Sequence, residues 1–215
     1  MGSNPTPGIL TVSKTDVVVL RDGASITIRP IGPDDKAAIV SGFEQLSPES
    51  RYRRFFSPLD RLGARDLSYL TEVDHHDHEA LIAHSERGDP LGVARYIRGA
   101  DPHKAEVAVV VVDEWHGRGV ATELLTRLAD RARQEDVRVF TATILTDNRD
   151  ALSLSQALGE TRRVGAPSTT VDIEIELPQR GLGERLRDAL RHAASGVLSG
   201  RDPSHPRTRL HRRRI

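Results

Sequence analysis

The chain has 215 residues, 37% of them hydrophobic, with no cysteine and a formal net charge of zero. That suits one core with tails and excludes disulfides, thiolate metal sites and a cysteine nucleophile. No run approaches 18 apolar residues, so no membrane-spanning helix is expected.

Residues 1–15 lack the basic-then-apolar order of a signal peptide. Their Gly, Ser, Asn and Pro content reads as a disordered leader, and a reducing cytoplasm is the expected location. Residues 17–20 form a short apolar run. Asp22-Gly23 marks a turn into residues 25–31, where Ile26, Ile28 and Pro30 alternate with polar residues as in a strand. Pro33-Asp34-Asp35 opens a helix to about residue 46, because Pro and Asp suit a first turn. A second helix runs from Ser47 through Arg54, and a third covers residues 64–70. Residues 80–83 and 91–97 read as an antiparallel pair. Residues 105–112 end in four consecutive valines, a β-branched run read as a buried strand. Gly117 and Gly119 break it.

Residues 120–134 then carry Leu124, Leu125, Leu128 and Ala132 at helical spacing. A strand over 137–145, a helix over 148–158 stopped at Gly159 and a strand over 169–177 complete one mixed α/β domain, residues 16–178. Residues 181–198 place Leu182, Leu186, Leu190, Ala193 and Val197 on one helical stripe, and an Arg-rich end follows. Residues 179–215 are therefore read as a basic helix and a disordered tail. Residues 180–215 hold ten arginines against Glu184, Asp188 and Asp202, which is +7 and leaves −7 on residues 1–179. The stripe docks either on the domain or on a second copy, and the opposed charges favour a homodimer.

Residues 109–122 hold the most chemistry: a strand, a glycine turn and a helix N-terminus in succession. Glycines let backbone approach a ligand closely. The first helical N–H groups lack intrahelical partners and sit at the positive end of the dipole, which suits a pyrophosphate. No Lys-Ser/Thr follows the glycines, and Thr122 stands where a third Rossmann glycine would. On composition alone, a phosphate-binding turn and an ordinary strand-to-helix turn both stay open.

His116-Gly117-Arg118-Gly119-Val120-Ala121 resembles the GNAT acetyltransferase motif Gln/Arg-x-x-Gly-x-Gly/Ala, with His in the first position. Asn148-x-x-Ala151-x-x-Leu154 and Leu158-Gly159 resemble the family's later Asn-x-x-Ala-x-x-Leu-Tyr and Leu-Gly-Phe segments. Leu20-Arg21-Asp22-Gly23, Ile28-Arg29-Pro30-Ile31, residues 46–56, Thr71-x-Val73-Asp74 and Gly92-Val93-Ala94-Arg95-Tyr96 are similar to the catalytic domain of bacterial protein-lysine acetyltransferases. The resemblance implies the GNAT fold, an α/β arrangement with a central mixed, mostly antiparallel sheet flanked by helices and a splayed coenzyme A cleft. It implies acyl transfer from acetyl-CoA as co-substrate to an amine, first a protein lysine. A small-molecule amine acceptor and a non-catalytic acyl-CoA-binding regulator are the alternatives. It also implies cofactor-binding residues. The strand backbone at Val110 and Val112, with Val111 between them, pairs with the pantetheine arm. His116, Gly117, Arg118, Gly119, Val120, Ala121 and Thr122 surround the pyrophosphate, and Asn148 and Ser155 border the cofactor.

A lysine amine with a pKa near 10.4 needs a base at neutral pH. Glu106 stands where the family places that base; a solvated strand end is the plain alternative. Burial would raise its pKa toward a useful value. Many family members carry a Tyr after Leu154 as general acid. Here it is Ser155, a poorer acid, and Glu160 replaces the Phe that follows Leu158-Gly159. In Asp74-His75-His76-Asp77-His78, neither strand nor helix spacing puts all five on one face. No metal is expected there, and Asp74 is read as an anion lining the acceptor site. Arg51-Tyr52-Arg53-Arg54-Phe55-Phe56 interleaves bases and aromatics as nucleic-acid binders do. A helix whose aromatics enter the core is preferred, and nucleic acid is not the expected partner.

Overall fold

The computed structural model describes residues 15–165 and 169–178. The expected basic tail lies outside them, as does the expected leader but for Thr15. Among the described residues eight strands form one sheet: β1 (Asp16–Val19), β2 (Ser25–Pro30), β3 (His78–Ser85), β4 (Pro90–Arg98), β5 (Lys104–Val111), β6 (Val139–Leu145), β7 (Glu160–Val164) and β8 (Thr170–Glu176). Their spatial order is β1-β2-β3-β4-β5-β6-β8-β7. Neighbours run antiparallel except β5 and β6, which are parallel. The α-helices of the described residues flank the sheet: α1 (Lys36–Glu44), α2 (Pro48–Phe55), α3 (Ala64–Thr71), α4 (Val120–Gln134) and α5 (Arg149–Leu158). Among the described residues no helix is long and apolar enough to cross a membrane.

Local chemistry explains the boundaries. The β1–β2 turn closes because Asp22 Oδ1 accepts the Ala24 N–H at 3.0 Å and Gly23 takes φ +86°. The expected helix at Pro33 starts as a 3-10 turn, Pro33–Asp35, before α1. Asp35 is already committed there, accepting the Gly32 N–H at 2.8 Å and pairing with Arg29 at 2.6 Å. Ser47 caps α2 by accepting the Ser50 N–H. Asp113, just past β5, accepts from the Ser47 N–H and from the Ser47 and Ser50 hydroxyls, so the start of α2 is tied to the end of β5.

On one face, α4 buries Val120, Leu124, Leu125, Leu128, Ala129 and Ala132 against Ile26, Ile28, Leu81, Tyr96, Val107 and Phe140. Full burial of such a side chain is worth about 1.5–3 kcal/mol. On the other face, α1, α2, α3 and the turn after α1 cover Ile31, Ile82 and Val112 with Ile39, Phe43, Leu46, Phe55, Leu67 and Leu70.

Three expectations change. β7 was not expected: Glu160, Arg162, Arg163 and Val164 are exposed, so no apolar face marks it, and only pairing with β8 makes it a strand. The four-valine run is not uniformly buried, since Val109 and Val110 are half-buried while Val111 and Val112 are buried. Gly159 ends α5 in extended backbone, φ −178°, not in a left-handed cap. It is needed because a Cβ there would sit 2.1 Å from the Glu176 carbonyl oxygen.

Candidate active site

β5 is closed on one edge and open on the other. Toward β4 it pairs from Ala105 to Val111. Toward β6 it pairs only at Lys104, Ala105 and Glu106, opposite Val139, Phe140 and Thr141, and then the strands part. The register decides which backbone groups face the gap. The Val112 N–H donates to the Leu91 carbonyl at 2.9 Å, and the Gly99 N–H to the Lys104 carbonyl at 3.1 Å. Bonding direction alternates residue by residue in an antiparallel ladder, so even-numbered residues of β5 bond to β4. Val109 then turns its N–H and C=O into the gap and Val111 its N–H, while the Val111 carbonyl is taken by His116. The sequence expectation assigned this to Val110 and Val112; pairing with β4 moves it by one residue.

At the far end of the gap lies the glycine turn. Gly117 and Gly119 take φ +71° and +99°, a region that disfavours a side chain, and nothing lies within 4 Å of a Cβ built on either. Gly119 is the N-cap of α4 and offers no side-chain cap, so the first N–H groups of this 15-residue helix are left to the gap at the positive end of its dipole. Bare N–H groups at one end and a free strand edge along the side fit the pyrophosphate and the amide-bearing arm of coenzyme A.

The side chains around the turn are fixed. His116 Nε2 donates to the Val111 carbonyl at 2.8 Å. Arg118 Nε donates to Asp22 at 2.6 Å, and its guanidinium lies 3.7 Å over the Trp115 ring. Arg118, with the Ala24 N–H, holds the Asp22 carboxyl below its usual range. Asn148 Oδ1 accepts the Ala151 N–H at 3.1 Å and caps α5. Ser155 is buried, and its hydroxyl donates to the Ala151 carbonyl at 2.7 Å.

One open cleft gathers Glu106, Val110, Val111, His116, Gly117, Arg118, Gly119, Val120, Ala121, Thr122, Asn148 and Ser155. Glu106 is exposed and stands at the last paired position, the vertex of the gap. Two expected residues lie elsewhere. Val112 faces a separate cavity under α1 and α2. Asp74 lines neither space: it is exposed and its Oδ1 accepts the His76 and His78 N–H groups of its own turn. Burial pushes its carboxyl up, but those N–H groups bring it below the usual range. The neighbouring imidazoles bind carboxylates one by one, His75 to Glu79 at 2.7 Å and His76 to Glu135 at 2.6 Å. Among the described residues no group of three or more His, Cys, Asp or Glu could hold a metal ion.

Two residues near the vertex were not expected in the site. Arg54, read as part of an ordinary helix, lines both the cleft and the second cavity. Burial pulls its guanidinium below the usual value, while Glu106 opposes that shift. Arg95 is 4% exposed, and its pKa is pulled to about 10 by burial and then by Arg54. The signal was in β4, where Arg95 alternates with Val93 and Ile97 on one face, and a buried arginine is rare.

Residues 43–159 match the acetyltransferase (GNAT) family. Acetyltransferase Pat of Mycolicibacterium smegmatis is 32% identical over 188 residues, 84% of this chain and 56% of that protein. The chain thus spans little more than half the length of that relative. Acetyltransferase PA5475 of Pseudomonas aeruginosa is 28% identical over 65% of this chain and 77% of its own. The crystal structure of the GNAT domain of S. lividans PAT superposes with a TM-score of 0.70 at 35% identity, covering 76% of this chain and 97% of that one.

Proposed function

The chain belongs to the acetyltransferase (GNAT) family, and we propose that it moves an acetyl group from acetyl-CoA to the side-chain amine of a protein lysine. The observation that carries this reading is the one-sided opening of β5, whose free edge leads from Glu106 to the uncapped start of α4. The resemblance of residues 20–23, 28–31 and 92–96 to bacterial protein-lysine acetyltransferases favours a protein lysine, and a small amine stays the alternative.

Acetyl-CoA, when bound, supplies a thioester carbonyl activated toward an amine. The Gly117–Gly119 turn and the first N–H groups of α4 neutralise its pyrophosphate. Val109 and Val111 bond its amide-bearing arm along the strand edge, which orients the reacting carbonyl and lowers the entropy of reaction. The Val109 N–H, beyond the last pair with β6, stabilises negative charge on that carbonyl oxygen. Making a lysine amine neutral at pH 7 costs about 4.6 kcal/mol from a pKa near 10.4, and Glu106 takes that proton, directly or through one water. Ser155 keeps its hydroxyl on Ala151, so the departing thiolate takes its proton from water in the open cleft.

The test is free-thiol release from acetyl-CoA with lysine-bearing proteins and with small amines, for wild type and Glu106→Gln. Loss of the base lowers kcat at least ~100-fold, while the Kd for acetyl-CoA stays within about threefold. Turnover with small amines alone would move the acceptor to a metabolite-sized amine. Tight binding without turnover on any acceptor would make the chain an acyl-CoA-binding regulator.

A further inference from the structure

The second cavity lies across β5 from α4, roofed by α1, α2 and α3, with about 60 Å³ of free space. That is several times the ~10–15 Å³ that admits one water. Its walls are apolar, Ile39, Phe43, Leu46, Phe55 and Ile82 among them, except for two guanidinium groups, Arg54 and Arg95. Arg95 donates from Nη1 to His78 Nε2 at 3.1 Å and from Nη2 to the Leu70 carbonyl at 3.0 Å. Burial, and then Arg95 itself, holds His78 below its usual range, so its imidazole is a neutral acceptor. Arg54 lies 5.1 Å from the centre of the Phe55 ring.

Among the described residues neither guanidinium forms an ion pair with a carboxylate, and Glu106 is the carboxylate whose charge reaches Arg54. Two positive charges therefore face one negative charge in a largely apolar wall. Arg95 is buried and Arg54 half-buried; a charge withdrawn from water without a counter-charge is costly, and an arriving anion relieves that cost. The cavity and the cleft share a wall: Arg54, Ala108 and Val110 line both. Arg95 pairs with Ala108 across the strands and Glu106 lies two residues further along β5, so all three side chains lie on one face of the sheet.

We propose that this cavity receives the terminal carboxylate of a dicarboxylic acyl group, succinyl in size, carried on coenzyme A. The inference rests on the acyl-transfer reading above. Ala108, with only a methyl group, lets a chain pass from the thioester into the cavity. The cavity's free space of about 60 Å³ holds about four to six water-sized groups, room for the five heavy atoms of a CH2–CH2–COO− arm and for no long fatty chain. In the reaction the amine nitrogen bonds to the acyl carbonyl carbon as the C–S bond breaks. The amine proton goes to Glu106, the thiolate leaves with the electron pair, and the distal carboxylate stays ionised against Arg95 and Arg54.

The experiment compares acetyl-CoA and succinyl-CoA on the full chain, by thiol release with one acceptor and by calorimetric Kd. The wild type turns over succinyl-CoA and binds it more tightly than acetyl-CoA. Arg95→Gln and, separately, Arg54→Gln lower the succinyl-to-acetyl ratio of kcat/KM at least ~10-fold, and thermal melting checks that each variant folds. Arg54→Gln decides the matter if the more buried Arg95→Gln does not fold. Acetyl-CoA turnover with no use of succinyl-CoA, or a ratio that neither variant changes, overturns the assignment. With no turnover on either donor the acyl-transfer reading fails, while a succinyl-CoA binding preference lost in Arg54→Gln still supports the cavity. A third arm offers acetyl-CoA with free amino acids and with their amides. A preference for the free acids that vanishes in either variant gives the cavity to an acceptor carboxylate and overturns the proposal.

Discussion

The two ends of α4 are built in opposite ways. At its C-terminal end Arg131 Nε donates to Glu79 at 3.0 Å. Glu79 is fully buried and also accepts from His75 Nδ1 and from the Ala80 N–H. The Glu135 carboxylate accepts from His76, its carbonyl accepts from Arg98, and Arg133 donates to the Pro178 carbonyl. At the N-terminal end there is Gly119 and no side-chain cap, in place of the Ser, Thr, Asp or Asn that helices favour there. The helix is anchored away from the cleft, so its bare end stays in position without a ligand. Ligand affinity and fold stability should therefore respond to different ends.

The largest test of that separation is Glu79→Ala. It leaves Arg131 and His75 without their counter-charge and the Ala80 N–H without an acceptor, a loss of about 2–4 kcal/mol. Thermal unfolding should show Tm lower by roughly 5–15 °C for a domain of this size. Well below that Tm, the Kd for acetyl-CoA should stay within about threefold. If affinity collapsed while Tm held, the C-terminal anchor would belong to the site after all.

At the other end, Gly119→Ala should do the reverse. The new Cβ meets nothing within 4 Å, so the fold has room for it, but φ +99° costs a side chain about 1–2 kcal/mol. The turn relieves that strain by rotating its N–H groups away from the pyrophosphate. A calorimetric titration should give a Kd for acetyl-CoA about tenfold weaker, with Tm lower by only a few degrees. An unchanged Kd would mean that the glycine serves the chain path and not the ligand.

The same division describes what could be read from the chain. The uncapped end was legible because its signals are local: a valine run, Gly117 and Gly119, then leucines at helical spacing. The anchored end was not. The Asp74–His78 run draws the eye, yet the buried group is Glu79 beside it, held by His75 of that run and by Arg131, a second counter-charge 52 residues later. Bonding parity along β5 was missed for a related reason. Alternation shows which side chains share a face, but only the pairing of Leu91 with Val112 shows which backbone groups are spent. Arg54 and Arg95 come from a helix and a strand far apart in sequence, so the excess positive charge between them exists only in the folded chain.

The smallest expected effect is a pH dependence confined to the anchored end. The hydrogen bond to Glu79 raises the His75 pKa above 6.5, its ordinary value. Burial pushes Glu79 up, but His75 and Arg131 pull it further down, below 4.5. A raised histidine stabilises fully below its unfolded pKa and loses that contribution as pH rises through its folded pKa. A depressed carboxyl stabilises above its unfolded pKa and loses that contribution as pH falls through its folded pKa. The pair is strongest where both conditions hold, between about 4.5 and 6.5. The Tm difference between wild type and His75→Gln should thus be larger at about pH 6 than at about pH 9, because the histidine's contribution falls as pH rises through its folded pKa. The ratio of their acetyl-CoA dissociation constants should be the same at both values, because the end of α4 that meets the ligand carries no titrating cap. A ratio that moved with pH along with the Tm difference would join the two ends of α4 into one unit.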